Sequence, residues 1–151
     1  MQRSLSSPAT VEDLVSRLGR LTPTSTRHWG TMTPHEMLCH LGDSFAAVTG
    51  GREASSADTW MSRHVLRLIA LHTPLPWPKG VPTRPEVNPK LAGTKPADFE
   101  RDRQAVIEHV RRFPGPDTRC GRHPIFGTMT RDEWLIWAFR HVDHHLRQFG
   151  Q

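Results

Sequence analysis

The chain has 151 residues, of which 36% are hydrophobic and 23% charged, with a net charge of +5 and a pI near 10.2. This length accommodates one hydrophobic core, so we expect a single domain over residues 1–151. The mean hydropathy of −0.55, and the lack of any apolar run near the roughly 18 residues of a transmembrane helix, exclude a membrane-embedded protein.

The start of the chain and its cysteine content predict a cytoplasmic location. The first eight residues lack the apolar segment of a secretory signal, and Cys39 and Cys120 are too few for a disulfide framework. Both thiols are expected to be inert because neither has a CxxC partner. The arginines are scattered along the chain, which argues against nucleic acid as a partner despite the high pI.

Apolar residues at helical spacing predict a first helix from Thr10 to Gly19. A second helix begins after Thr33, where a proline follows the N-cap and Glu36 completes a capping box, and it ends at the glycines 50–51. The spacing favours a shorter third helix from about Thr59 to His72.

A proline-rich crossover follows the third helix, with seven of the thirteen prolines between Pro74 and Pro96. Helical spacing resumes at Phe99 and is stopped by Pro114. A second capping box at Thr130 predicts a final helix that continues to about Phe149. Since no segment shows β-alternation, the pattern indicates an all-α fold.

The last helix carries the strongest candidate for a metal site. Steps of three or four residues place one set of side chains on a single helix face: Trp134, Trp137, His141, His145 and Gln148. Two imidazoles one turn apart can converge on one ion, and a buried imidazole needs either a hydrogen bond or a metal. From these residues alone, a metal-binding pair and a hydrogen-bonded structural pair are equally open.

A further ligand is sought on the second helix, where His35 and His40 lie five residues apart and point about 140° away from each other. This spacing excludes the zinc-protease motif, whose two histidines share one helix face. His35 lies in the first turn, beside the capping-box glutamate, whereas His40 borders the apolar stripe of the helix. His40 is therefore the better candidate.

Three segments of the chain resemble the DinB/YfiT-like superfamily: residues 29–33, 37–41 and 141–148. The most specific is the His-x-x-His-His-x-x-Gln pattern of the last helix, which follows one histidine on the second. The resemblance implies a DinB-like four-helix bundle with an additional short helix and the proline-rich crossover. It also implies that His40, His141 and His145 bind one divalent metal ion. The turn at residues 123–127 is similar to that of an uncharacterised branch of the superfamily.

Zinc and nickel are the first candidates for this metal, with ferrous iron next, because imidazole suits all three. Three neutral ligands leave at least one coordination position open, which is typical of catalytic sites. We therefore expect a metal-dependent hydrolase or thiol transferase for a small, anionic substrate, in which the open position activates a water or a thiol. The resemblance favours a low-molecular-weight thiol as cosubstrate. Bundles of this kind often form homodimers, so a homodimer is also expected. The alternative is a non-catalytic metal-binding or stress-related module.

The sequence gives less support for the roles of four other residues near the proposed ligands. His144 is turned about 60° from the ligand face and is expected to make a hydrogen bond outside the ligand set. Asp43, one turn after His40, either orients that imidazole or is solvated. Gln148 is expected to bond a ligand histidine or a carbonyl. His123 precedes a proline and is expected in a packed turn.

Overall fold

The computed structural model describes residues 3–151, and the regular structure in this range is helical. Its α-helices are α1 (Pro8–Arg20), α2 (Pro34–Val48), α3 (Arg67–His72), α4 (Phe99–Arg112) and α5 (Arg131–Arg147). A π-helical turn, Ser62–Leu66, leads directly into α3, and a 3-10 turn, Pro85–Val87, lies in the crossover. Residues 3–151 contain no β-strand, so the all-α prediction is confirmed.

Both predicted capping boxes are present at the helices that carry the histidines. The Thr33 hydroxyl accepts from the Glu36 amide at 3.1 Å, and the Glu36 carboxylate accepts from the Thr33 amide at 2.8 Å. Thr130 and Glu133 repeat this arrangement at 3.2 and 2.8 Å. Since a capping box satisfies amide groups that have no partner within the helix, it fixes the residue at which α2 and α5 begin.

The helix boundaries differ from the predicted ones by one to three residues at several ends. α1 begins at Pro8 rather than Thr10, since proline is well suited to the first turn of a helix. α5 ends at Arg147 rather than near Phe149, and the chain turns at Gly150 with a φ of +70°. None of the helices in residues 3–151 combines the length and the hydropathy that a bilayer crossing needs.

The core lies between α1, α2, α4 and α5. α4 packs against both α1 and α2, while α1 and α3 each pack against α5. α2 and α5 meet through large side chains, with the ring centroids of Phe45 and Trp137 6.2 Å apart. Each of the four helices contributes side chains with no more than 1% exposure: Leu14, Leu18, Met37, Leu41, Val106, Val110 and Leu146. This packing holds the histidine-bearing faces of α2 and α5 opposite each other.

Candidate metal centre

Three imidazoles converge where α2 faces α5. His40 comes from α2, and His141 and His145 come from successive turns of α5. The Nε2 atoms of His40 and His141 are 3.1 Å apart, and one ring nitrogen from each of the three residues lies within 4.8 Å of the others. The arrangement is therefore a compact group of three nitrogen donors that could hold one metal ion.

A backbone carbonyl of the crossover orients the His40 ring. His40 Nδ1 lies 2.8 Å from the carbonyl oxygen of Val87, in the 3-10 turn. Because a carbonyl only accepts hydrogen bonds, Nδ1 carries the proton and donates it. The lone pair is thereby left on Nε2, which faces the other two imidazoles.

Gln148 orients the His145 ring in a comparable way. The Gln148 amide nitrogen donates to the carbonyl oxygen of Trp29 at 2.7 Å, so its Oε1 faces His145 Nδ1 at 3.2 Å. Nδ1 of His145 therefore donates to Oε1, and its Nε2 keeps a free lone pair. Gln148 makes both kinds of contact that its position on the helix face predicted.

Burial keeps the three imidazoles neutral. The pKa of His40 is lowered by desolvation, and the pKa values of His141 and His145 are lowered well below the usual range, first by desolvation and then by neighbouring imidazoles. Neutral imidazole is the form that binds metal, so the cluster needs no deprotonation near pH 7.

The donor set fits a divalent ion with nitrogen ligands. Two imidazole nitrogens at the usual zinc distance, in tetrahedral geometry, are about 3.3 Å apart. His40 Nε2 and His141 Nε2 are 3.1 Å apart, close to this separation, and the third nitrogen lies within 4.8 Å of both. The hydrogen bonds of His40 and His145 are of the kind that orients ligand histidines in metal sites.

Gly30 lies beside the Gln148 amide, so a substitution at Gly30 tests whether the hydrogen bond between Gln148 and His145 supports metal binding. Its φ is +78°, and a Cβ at this position would overlap the Gln148 amide nitrogen. Gly30→Ala should therefore displace the amide from His145 and lower zinc affinity about 10- to 100-fold in a chelator competition titration. Gly50→Ala is the matched control, because Gly50 has a φ of +84° with open space around it. Equal zinc affinities of the two variants would show that Gln148 does not support the site.

The neighbours of the cluster have other partners. The Asp43 carboxylate accepts from the amide and the hydroxyl of Thr94, both at 2.7 Å, and pairs with Arg52 at 3.0 Å. Asp43 therefore fixes the end of the crossover instead of hydrogen-bonding His40. The His144 ring lies 6.0 Å from each of the Trp29 and Trp77 rings, outside the group of three converging imidazoles.

His123 lies in a packed turn, as its position before a proline predicted. Its Nδ1 accepts from the amides of Ile125 and Phe126, both at 3.1 Å, and its ring stacks on Phe126. Burial lowers the pKa of His123 to about 3. The imidazole is therefore neutral in the folded protein at all but strongly acidic pH.

This pKa predicts that His123 makes the fold sensitive to acid. Between pH 6.5 and 3 the unfolded chain binds a proton that folded His123 does not, so stability falls as the pH falls, by up to about 1.4 kcal/mol per pH unit. Asparagine has no titratable group, and its Oδ1 can accept the same amide hydrogen bonds. His123→Asn should therefore reduce the pH dependence of urea unfolding of the metal-free protein between pH 6 and 4, while the part that comes from His40, His141 and His145 remains. Unchanged slopes would contradict this account of His123.

A second group of potential ligands lies between α2 and α4. His35 Nε2 is 2.8 Å from the Asp102 carboxylate, and the Cys39 thiol is 3.7 Å from the same oxygen. Burial and the nearby Asp102 carboxylate raise the pKa of Cys39 to about 12, so the thiol is protonated at neutral pH. These three groups already hydrogen-bond one another between α2 and α4, and the thiol would have to lose its proton to bind a metal. The three-imidazole cluster is therefore the better candidate for a metal site.

A cavity of about 740 Å³ opens over the three histidines. Its wall contains the indole rings of Trp29, Trp77 and Trp137, and the crossover supplies the outer part of the wall. Across residues 3–151, no aspartate or glutamate lines it. The cluster is therefore reachable by a small molecule through a mostly apolar space, and neither Trp137 nor the crossover closes it.

The fold and the site together define an all-α protein with a cluster of three histidines, one buried and two half-buried, at the base of a cavity. The chain belongs to the family described as Protein of unknown function (DUF1569), whose model matches residues 2–151. Comparison with curated proteins and with solved structures gave no significant match.

Sequence reasoning missed several parts of the site. The carbonyls of Val87 and Trp29, and the cavity wall supplied by Trp77, come from loops that carry no ligand pattern. Gly30 lies in one of the segments that resemble the DinB/YfiT-like superfamily. Its positive φ, and its position against the Gln148 side chain, explain why a glycine is needed there.

Proposed function

We propose that the protein binds one divalent metal ion through His40, His141 and His145 and uses it to catalyse thiol transfer to a small molecule. The observation that carries this proposal is the convergence of three neutral imidazoles at the base of an accessible cavity. Zinc and nickel remain the first candidates and ferrous iron the next, since the donor set suits all three.

An ion with three neutral ligands supplies Lewis acidity, which lowers the pKa of a thiol or a water that reaches the cluster. The cavity wall favours the thiol, because an apolar surface holds little water to compete for transfer. Hydrolysis is the second reaction that the cluster supports.

His144 is the residue that we propose accepts the thiol proton while the sulfur bonds to an electrophilic carbon of the small molecule, and then gives that proton to the group that the sulfur displaces. It lines the cavity next to the ligands, with its ring 5.3 Å from that of His145. Desolvation lowers the pKa of His144, so its imidazole is neutral and able to take a proton at neutral pH. Its position off the ligand face leaves it free for this role.

The lack of a carboxylate in the wall favours a second candidate function, a non-catalytic metal-binding or stress-related module. Many metal-dependent hydrolases use a carboxylate as general base, as the zinc proteases do. Within the described residues the cavity offers only imidazoles for this task. The module would retain the metal and a bound small molecule without turnover.

The two functions are separated by a screen of the metal-loaded protein. Zinc, nickel and ferrous forms would be assayed for conjugation of low-molecular-weight thiols and for ester hydrolysis, beside His141→Ala and His35→Ala. We expect activity that is lost in His141→Ala and kept in His35→Ala. Metal uptake without any His141-dependent activity would exclude the enzyme and leave the binding module.

We also propose that this family is a branch of the DinB/YfiT-like superfamily and that α1, α2, α4 and α5 form its four-helix bundle. The support is the histidine pattern together with the packing of α4 on α1 and α2 and of α1 on α5. A homodimer is a related proposal, supported by exposed apolar side chains at Trp60, Met61 and Leu68.

A further inference from the structure

The cavity over the histidines has an apolar rim that is open to water. Four side chains on its outer part are between 43% and 58% exposed: Leu66, Ile69, Leu75 and Val81. The inner wall continues this surface with tryptophan rings. A molecule that filled the cavity would therefore remove a continuous apolar surface from water.

The same wall has few positively charged groups that could bind an anion. Within residues 3–151, Arg84 is the one lysine or arginine that lines the cavity. Its guanidinium donates to the carbonyl oxygen of Ser55 at 3.1 Å and lies 3.9 Å from the Glu86 carboxylate. Lys79 contacts the Trp29 ring at 4.3 Å but does not line the cavity. A negative charge on the part of a ligand that lies against this wall, away from the histidines, would lose its hydration without gaining an unpaired cation from the wall.

From this distribution we infer that the natural ligand is a small molecule with an uncharged alkyl or aryl tail and a polar head that reaches the three histidines. The inference rests on the proposed metal site for the head, and on the cavity wall for the tail. This ligand differs from the small, anionic substrate that we expected from the sequence.

Binding of a series of hydroxamates to the zinc-loaded protein tests whether the cavity prefers an apolar tail. The hydroxamate head binds zinc in every member of the series, so only the tail is varied. Affinity measured by calorimetry should rise from acetohydroxamate to hexanohydroxamate by up to about 4-fold per added methylene. The hydroxamate of succinic acid, which ends in a carboxylate, should bind more weakly than a neutral hydroxamate of the same length. A flat series, or tighter binding of the anionic member, would overturn the inference.

Two leucines provide matched variants for the same measurement. Leu75 and Leu68 are each 58% exposed, but only Leu75 lines the cavity. Leu75→Asn should weaken hexanohydroxamate binding several-fold and leave acetohydroxamate binding unchanged, whereas Leu68→Asn should change neither. Equal effects of the two substitutions would place the tail elsewhere on the surface.

A metal-independent measurement separates this inference from the proposed function. The neutral fluorophore N-phenyl-1-naphthylamine should bind His141→Ala, with energy transfer from the cavity tryptophans, and Leu75→Asn in that background should weaken its binding. If the wild-type protein takes up no zinc, the proposed metal function fails while this measurement still decides the ligand class. Absence of fluorophore binding would overturn the inference even in a protein that binds zinc.

Discussion

Replacing His141 or His145 with alanine should abolish tight zinc binding. Each substitution removes one of three nitrogen donors that lie within 4.8 Å of one another. The loss of affinity should therefore exceed the roughly 10- to 100-fold that loss of an outer hydrogen bond costs. The measurement is a competition titration of each metal-free variant with a chromophoric zinc chelator.

His144→Ala and His35→Ala are the controls for this prediction. His144 lies beside the cluster but outside the group of three proposed ligands, and His35 hydrogen-bonds to Asp102 on α4. Both variants should weaken zinc binding far less than the two ligand variants. If His144→Ala were as damaging as His145→Ala, the assignment of the ligand on α5 would move by one residue.

Cobalt substitution distinguishes the two groups of potential ligands. A cobalt–thiolate absorption band would arise only if Cys39 took part, since the three-histidine cluster contains no sulfur. We expect no such band in the wild-type protein at one cobalt per chain. A band that disappears in Cys39→Ser and persists in Cys120→Ser would place the metal between α2 and α4.

The largest stability effect that we expect from a polar residue is at Arg17. Its guanidinium is 2.7 Å from the Asp143 carboxylate and donates to the backbone carbonyl of Gln151 at 3.0 Å. The side chain of Arg17 is 10% exposed and that of Asp143 is 15% exposed. Arg17→Ala would leave Asp143 partly buried, with Arg147 at 3.0 Å as its remaining partner.

Arg17→Ala should therefore lower the free energy of unfolding by about 3 kcal/mol, which is at the lower end of the range expected when one partner of a buried ion pair is removed. For a chain of this length, that change corresponds to a fall in Tm of roughly 6–12 °C. Arg112→Ala is the control, because the Arg112 side chain is 79% exposed and its pair with Glu108 contributes under about 1 kcal/mol. Similar unfolding curves for the two variants would show that the Arg17 pair adds little stability.

The elements that sequence could predict are those whose causes are local. The capping boxes at Thr33 and Thr130 use residues three apart, and both helices begin where those patterns placed them. The spacing of His141 and His145 likewise required only helical geometry. Placing His40 next to them required the resemblance as well, since a single histidine on α2 has no local partner that identifies it.

The remainder of the site depends on contacts between distant parts of the chain. His40 meets the Val87 carbonyl 47 residues later, and Gln148 meets the Trp29 carbonyl 119 residues earlier. Asp43 shows the same limit: its position beside His40 on α2 left its role open, but the crossover brings Thr94 to its carboxylate. Backbone carbonyls and irregular loops leave no residue pattern from which such contacts could be predicted.

Metal content is the most direct test of the account. The protein would be purified without an imidazole-binding tag, analysed for metals, stripped with a chelator and titrated with zinc, nickel and cobalt. The convergence of His40, His141 and His145 predicts about one divalent ion per chain, bound again after stripping and missing from His141→Ala. No stoichiometric uptake of any of the three metals by the wild-type protein would contradict the account.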